Sequence, residues 1–448
     1  MPSPGVAFDA RRPIETGNHA RQPLFARTII ADTGASQPSK GSLKLAIYDQ
    51  HGQLEFQDKM TVAPEGFTSG ADFVQQMGQR MAETIERLAL DTSKDPVDHV
   101  VVFGPGPASN NTFATLINLL RKDGDYLRQV RFKPLWKALG QHAVQSETQR
   151  QLRAVNDMFG SGTSLIEALR QHRRYKKFLS QDGFSGRLIM TGGGCGVIDF
   201  TVNTFGDKPN VLLTGMEGGH LTIRDKTGRD VPVELNKASS TALIRNFAAS
   251  MKLPGEAVNK LVHLGDARVV TDHPIMVKAS DAKLEEFRQT GLFEEGAKQR
   301  GKIPFTLKTV KSEKDLQLHA FRAIDEYFDG VGQVAANMAI GGGNAVFVGG
   351  PLVNAIKAFI NHHHNEANAY FVGMGQELGD LGEATLFDDI LRLHMLDRMD
   401  TAAQGIAKAT KFKIVSDIQL SDNTEGGLAF ADSVATSQPN KYRLLLNA

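Results

Sequence analysis

The chain has 448 residues, 41% of them hydrophobic and 23% charged, with a net charge of +1. This length exceeds what one compact core holds and points to two domains. The near-zero charge gives no electrostatic argument for nucleic acid or an acidic membrane as partner. A single cysteine, Cys195, excludes an internal disulfide and any multi-cysteine zinc or iron–sulfur site, and fits a reducing, cytoplasmic setting. No run approaches the ~18 apolar residues of a membrane span. Residues 1–25 contain Arg11, Arg12 and Arg21 and lack the apolar segment of a secretory signal, so a flexible tail is expected there.

Phe25 to Ala31 is apolar enough for a buried strand, with Asp32-Thr33-Gly34 read as the turn that ends it. Ser42 to Tyr48 alternates as a second strand, Asp49-Gln50-His51-Gly52 is a hairpin turn, and Leu54 to Val62 is a third strand. Ser69 and Asp72 mark a helix start, and Phe73, Met77, Met81, Ile85 and Leu88 follow at helical spacing. His99 to Phe103 is a buried-strand run closed by Gly104-Pro105-Gly106-Pro107. A second unit begins near Asp157, with a helix over Ser164 to Phe178 and strands at Arg187–Thr191, Ile198–Thr204, Val211–Thr214 and Leu221–Arg224. Helices are expected at Ser239–Ser250, Gly255–Leu264 and Lys314–Ile340, then a strand at Ala345–Val348 and a helix from Pro351. The stretch from Asp266 to Glu313 reads only as mixed strand and helix. The same grammar occurs twice (strand and hairpin, helices, then an apolar strand with a glycine exit), which suggests a duplicated α/β unit with a ligand between the halves.

Several positions carry chemistry, each beside an ordinary structural role. Asp32 and Gly34 offer magnesium coordination through water and close phosphate approach, with Lys44 adding positive charge, or else a plain hairpin turn. Thr191, Gly192, Gly193 and Gly194 can present amide donors and a hydroxyl to phosphate oxygens. They form neither a P-loop, lacking the lysine-serine/threonine ending, nor a dinucleotide fingerprint. Gly349 and Gly350 could let a flat adenine lie on the backbone, or form a tight strand-to-helix turn. Asp157 could remove a proton from a hydroxyl, and Asn156 could clamp the substrate, or the pair could cap a helix. Glu217, His220 and Glu234 could hydrogen-bond sugar hydroxyls or sit in solvated loops. His362-His363-His364 reads as an exposed helix end rather than a metal site. Cys195 and Trp136 read as packing residues.

Taken in order, these motifs resemble the ROK family of sugar kinases, within the actin-like ATPase and hexokinase superfamily, from Asp32 to about Phe430. Asp32-Thr33-Gly34 up to Asp49 resembles the first phosphate motif, with Ala35 at its second glycine and Ser36–Ser39 inserted. Phe103 to Pro107 resembles the glycine-proline segment, and Val155-Asn156-Asp157 the pair whose aspartate is the catalytic base. Met190-Thr191-Gly192 resembles the second phosphate motif, with methionine at its first glycine, and Glu217-Gly218-Gly219-His220 the Glu-x-Gly-His sugar motif. Glu234 with Ala238 to Leu243 resembles the third sugar-contacting glutamate and its helix. Phe347 to Gly350 resembles the adenosine motif, and Leu420-Ser421-Asp422 through Gly426-Gly427-Leu428-Ala429 the closing segment.

The resemblance implies a two-domain actin-like ATPase (ribonuclease H-like) fold with an interdomain active-site cleft. Its parts would be a tail (1–25), a small domain (26–155), a large domain (156–424) and a C-terminal segment (425–448) whose helix returns to the small domain. It implies ATP with magnesium, held at Asp32, Gly34, Lys44, Thr191, Gly192, Gly193, Gly349 and Gly350, and a hexose held by Asn156, Glu217, His220 and Glu234, with Asp157 as base. Glucose is the first expectation and an N-acetylhexosamine (N-acetylglucosamine or N-acetylmannosamine) the alternative. A non-catalytic nucleotide- or sugar-binding regulator also stands open. The family's zinc-binding cysteine cluster has no counterpart, so no structural zinc is expected. A cytoplasmic homodimer without nucleic acid or membrane partners is expected. A repressor of this family would carry a helix-turn-helix of ~60–80 residues before Asp32, where this sequence has 31 residues. The insertions at 36–39, 202–210 and 362–411 have no assigned role.

Overall fold

A computed structural model describes residues 26–34, 40–204, 210–216, 221–225, 227–250, 276–278, 302–304, 313–373, 385–420, 423–434 and 443–447. The expected tail, Glu217 and His220 of the sugar motif, insertion residues 36–39 and the helix expected from Gly255 lie outside the described residues.

The first sheet contains β1 (Arg27–Gly34), β2 (Ser42–Tyr48), β3 (Leu54–Thr61), β4 (Val97–Gly104) and β8 (Gln151–Asn156) in the order β3-β2-β1-β4-β8. The first three strands are antiparallel, while β1, β4 and β8 are parallel. Helix α1 (Gly70–Arg87) lies between β3 and β4. Its N-cap Ser69 accepts from the Asp72 N–H, and its Phe73, Met77, Met81 and Ile85 are buried. Short strands β5 (Ala108–Ser109), β6 (Thr112–Leu120) and β7 (Tyr126–Arg131), then α2 (Leu135–Leu139), intervene before β8. Asp32, Thr33 and Gly34 are not a turn: they pair with Lys44, Leu43 and Ser42 as the last three residues of β1. The sequence reading failed here because aspartate and glycine signal turns locally, whereas cross-strand pairing is not local.

The second sheet repeats that order. Strands β9 (Ser185–Thr191), β10 (Cys195–Asn203) and β11 (Asn210–Met216) are antiparallel neighbours. The strands β16 (Ala345–Gly349) and β17 (Lys413–Val415) then add parallel to β9, giving β17-β16-β9-β10-β11, with β18 (Arg443–Asn447) beside β11. Numbered within each half, both sheets run 3-2-1-4-5, so the duplicated grammar is a duplicated topology. Two small antiparallel two-stranded sheets, β12 (Thr222–Arg224) with β13 (Asp230–Pro232) and β14 (Met276–Lys278) with β15 (Lys302–Pro304), are separate from these.

The helices after β8 are α3 (Asp157–Gln171), α4 (Val233–Asn236), α5 (Ser240–Ser250), α6 (Glu313–Ile340) and α7 (Pro351–His362), followed by α8 (His364–Phe371), α9 (Leu386–Asp397), α10 (Thr401–Ala409) and α11 (Asn423–Val434). The helix expected from Ser164 to Phe178 instead starts at Asp157 and stops at Gln171, where His172 turns extended. Among the described residues no helix is long and apolar enough to cross a membrane.

Three cores explain the apolar runs. Alternate residues of the first sheet face different clusters: Ile29, Ala31, Leu43, Leu45, Val100 and Val102 pack with α1, whereas Ile30, Ala46, Val101 and Phe103 pack on the opposite face. That opposite core also takes Phe159 and Leu165 of α3, Phe430 of α11, and Leu188, Ile198 and Phe347 of the second sheet. A sheet buried on both faces reads as a continuous hydrophobic run, as Val100 to Phe103 does. The third core joins the far face of the second sheet to α5, α6, α7 and α9.

Candidate active site

Ligands of open α/β sheets bind outside the carboxyl ends of the parallel strands. The described candidate residues cluster at such ends. On the first sheet, Asp32 of β1 lies opposite Phe103 of β4, and Gly104 of β4 lies opposite Asn156 of β8. The Thr33 hydroxyl donates to the Phe103 carbonyl at 3.0 Å, locking β1 to β4 inside the core. Lys44, half-buried on β2, pairs in register with Asp32.

Asn156 is the N-cap of α3: its Oδ1 accepts from the Met158 N–H at 2.9 Å and its Nδ2 donates to the Gly106 carbonyl at 3.1 Å. The capping role is therefore real, and it ties the Gly104–Pro107 segment to the helix start. Asp157, half-buried, is the first residue of α3, where the helix dipole favours a carboxylate.

On the second sheet, Thr191 and Cys195 pair across a three-residue turn, with the Gly192 N–H donating to the Gly194 carbonyl at 2.9 Å. The Gly192 carbonyl accepts from both the N–H and the hydroxyl of Ser240, each at 2.8 Å, which fixes the turn to the start of α5. Among the described residues, no atom beyond its two chain neighbours lies within 4 Å of where a side chain on Gly193 would begin. The Thr191 hydroxyl is buried and shares a 3.0 Å hydrogen bond with the Tyr327 hydroxyl, so only backbone groups of the turn remain for a phosphate.

Gly349 ends β16 opposite Met190, and Gly350 follows at φ +105° with its α-carbon pressed on Thr191. A Cβ there would lie 2.3 Å from the Thr191 carbonyl oxygen, so glycine is required and the two glycine motifs form one surface.

Glu234, on the short helix α4, turns toward this hairpin: its Oε2 accepts from the Cys195 N–H at 3.0 Å, beside Gly194. Sequence reading allowed it sugar hydroxyls or solvent as partners, not a backbone amide. Burial, then the neighbouring Glu234, pushes the Cys195 thiol up to about 12, and burial also raises Tyr327.

The two groups of residues are joined through α3. Met158, next to Asp157, occupies the space above Gly196, its Sδ 2.1 Å from where a Cβ would be, and Phe159 packs the same way over Gly215. Asp157 thus stands at the helix end seated on the strand that leaves the glycine turn. Sequence reasoning missed one further residue, Asn423 at the start of α11. Its Nδ2 approaches the Asp32 carboxylate at 3.4 Å. The signal present in the sequence was its place just before Gly426-Gly427.

The remaining candidates are structural. His363 bonds Gln317 at 2.8 Å at the end of α7, between exposed His362 and His364. Trp136 is buried beneath the Arg150 guanidinium. Among the described residues no group of three or more His, Cys, Asp or Glu is placed to hold a metal.

In fold the chain is similar to glucokinase from Balamuthia mandrillaris in complex with glucose, with a TM-score of 0.55 at 12% identity, covering 90% of this chain and 93% of that one. Hexokinase from Schistosoma mansoni complexed with glucose aligns at 0.49 and 14% identity over 92% and 87%, and Leishmania braziliensis glucokinase at 0.46 and 12% over 90% and 92%. No protein-family model matches the chain, and no curated protein sequence does. The fold is that of the two-domain actin-like ATPases to which glucokinases and hexokinases belong.

Proposed function

We propose that the protein is an ATP-dependent hexose kinase, with glucose as first substrate and an N-acetylhexosamine as alternative. The observation that supports it is the juxtaposition just described: a carboxylate at the N-terminus of α3, whose neighbour Met158 packs on Gly196, two residues along β10 from the glycine turn. The small domain would be residues 26–155 and the large domain 156–424, with the substrates in the cleft between them.

In this reading Asp157 takes the proton from the sugar O6 as that oxygen attacks the γ-phosphate, a step worth roughly 10²–10⁴-fold in rate. The amides of Gly193 and Gly194 face the phosphates from the turn that Gly192 closes, Gly349 and Gly350 take the adenosine, and Asn156, Glu217, His220 and Glu234 orient the sugar. The residues fit magnesium–ATP: no described residue beyond the chain neighbours crowds Gly193, and the Asp32 carboxylate stands at a strand end. Magnesium, when bound, neutralises phosphate charge. Positioning and charge stabilisation are most of what phosphoryl transfer requires.

A coupled ADP-release assay with magnesium-ATP against glucose, mannose, fructose, allose, N-acetylglucosamine and N-acetylmannosamine tests the reading. Saturable sugar-dependent turnover is expected. Silence across the panel with nucleotide binding intact would favour a non-catalytic regulator instead. Asp157→Asn should lower kcat by roughly 10²-fold or more while sparing sugar binding. A near-normal rate in that variant removes Asp157 as the base.

A further inference from the structure

The side chain of Asn423 reaches in two directions. Its Nδ2 lies 3.4 Å from Oδ2 of Asp32, and its Oδ1 accepts from the Ser161 hydroxyl of α3 at 3.1 Å. A carboxylate can only accept and the amide nitrogen can only donate, so Asp32 and Ser161 together fix which way the amide points.

Three glycines make this approach possible. A Cβ on Gly160 would lie 2.9 Å from Asn423 Oδ1, one on Gly426 would lie 2.8 Å from the Gly160 carbonyl, and one on Gly427 would lie 2.4 Å from Ile30 and 2.9 Å from Phe103. Glycine inside a helix costs about 1 kcal/mol relative to alanine. Two helices therefore carry three unfavourable residues at the one place where α11 meets β1 and α3. Gly160 and Gly426 let α11 approach α3 closely enough for Asn423 to reach both Ser161 and Asp32.

We propose that Asn423 is a positioning residue for phosphoryl transfer: it holds the Asp32 carboxylate in a fixed direction relative to the N-terminus of α3, where Asp157 stands. The group facing the donor's phosphates and the group facing the acceptor's hydroxyl then keep their relation as the cleft closes. This inference rests on the kinase reading.

The test uses the full chain with Asn423→Ala, Asn423→Asp and Ser161→Ala, measuring kcat and the KM values for magnesium-ATP and for the best sugar. Asn423→Ala should raise the magnesium-ATP KM about tenfold, the loss expected for one hydrogen bond to a charged group, and leave the sugar KM within about twofold. Asn423→Asp preserves the volume but sets a second carboxylate against Asp32, so it should be more impaired than the alanine variant. Ser161→Ala, which frees the amide to turn, should move the same KM by about threefold. A space-filling role predicts the reverse order, with the aspartate variant near wild type, and that order overturns the inference. If the alanine variant fails to fold, the other two, which keep the packing volume, decide the matter. A wild type that turns over sugars while all folded variants match it overturns the inference alone. A wild type that neither turns over any sugar nor binds magnesium-ADP in calorimetry overturns the functional reading and the inference with it.

Discussion

Asp95 shows how a single side chain can oppose the fold it belongs to. The Arg27 guanidinium bonds Glu55 through two nitrogens, at 2.8 and 3.0 Å, and lies 3.3 Å from Asp95. Burial outweighs that neighbour and, with Glu55, Asp49 and Asp98 nearby, pushes the Asp95 carboxyl up to about 6. Its Oδ1 is buried without a hydrogen-bond partner. Folding therefore favours the protonated form, and this contribution is present at low pH and lost as pH rises through about 6. The stability of Asp95→Asn relative to wild type should thus be more favourable at about pH 7.5 than at about pH 5. Melting curves at both pH values check this, and a difference independent of pH contradicts it. Glu234 is the converse, a carboxylate holding a backbone amide. Glu234→Ala should leave the Cys195 N–H unsatisfied and cost about 1–3 kcal/mol, whereas Glu234→Gln keeps an acceptor and should lose much less. Equal losses in chemical denaturation would remove that bond as the cause. Sequence alone marked Glu234 as a polar candidate but not its target, because β10 comes to it only in the folded chain.

At the scale of elements, helices and strands with local signals were legible and those set by distant contacts were not. Ser69 announces α1, and Pro351 announces α7, through chemistry confined to one turn. The first two turns of α3 were invisible because Gly160 and Gly162 lower helix propensity. Their reason is tertiary: a Cβ on Gly162 would meet Ile198 at 3.0 Å. Gly349 and Gly350 read as an adenine platform or a tight turn, and Gly350 performs a task neither reading contained, the close contact with Thr191. Gly350→Ala combines that contact with a positive φ and should destabilise the protein by about 2–3 kcal/mol. Because the contact orients the turn proposed to bind phosphate, nucleotide affinity should fall in the same variant. Calorimetric binding of magnesium-ADP is the check, and unchanged affinity would separate the two glycine motifs.

For the whole molecule, the repeated 3-2-1-4-5 order was suggested by element grammar and established only by pairing. β16 joins β9 from more than a hundred residues away in sequence, and no local pattern encodes that partnership. The middle core, which draws on both sheets together with α3 and α11, makes the two halves mechanically dependent. Sugar together with a non-hydrolysable ATP analogue should therefore close the cleft and reduce the radius of gyration in small-angle scattering, beyond the change caused by either ligand alone. A sum of independent effects would deny that coupling. Saturation at about 100 times Kd should raise stability by about 2.7 kcal/mol for each ligand.

The buried thiol of Cys195 has a practical consequence. As the only sulfhydryl in the chain, buried in the core and pushed up to about 12, it should react slowly with alkylating and disulfide reagents. Its labelling half-life then reports opening of the core around β10, readable in the wild-type chain without any introduced probe, and nucleotide bound at the adjoining turn should lengthen it.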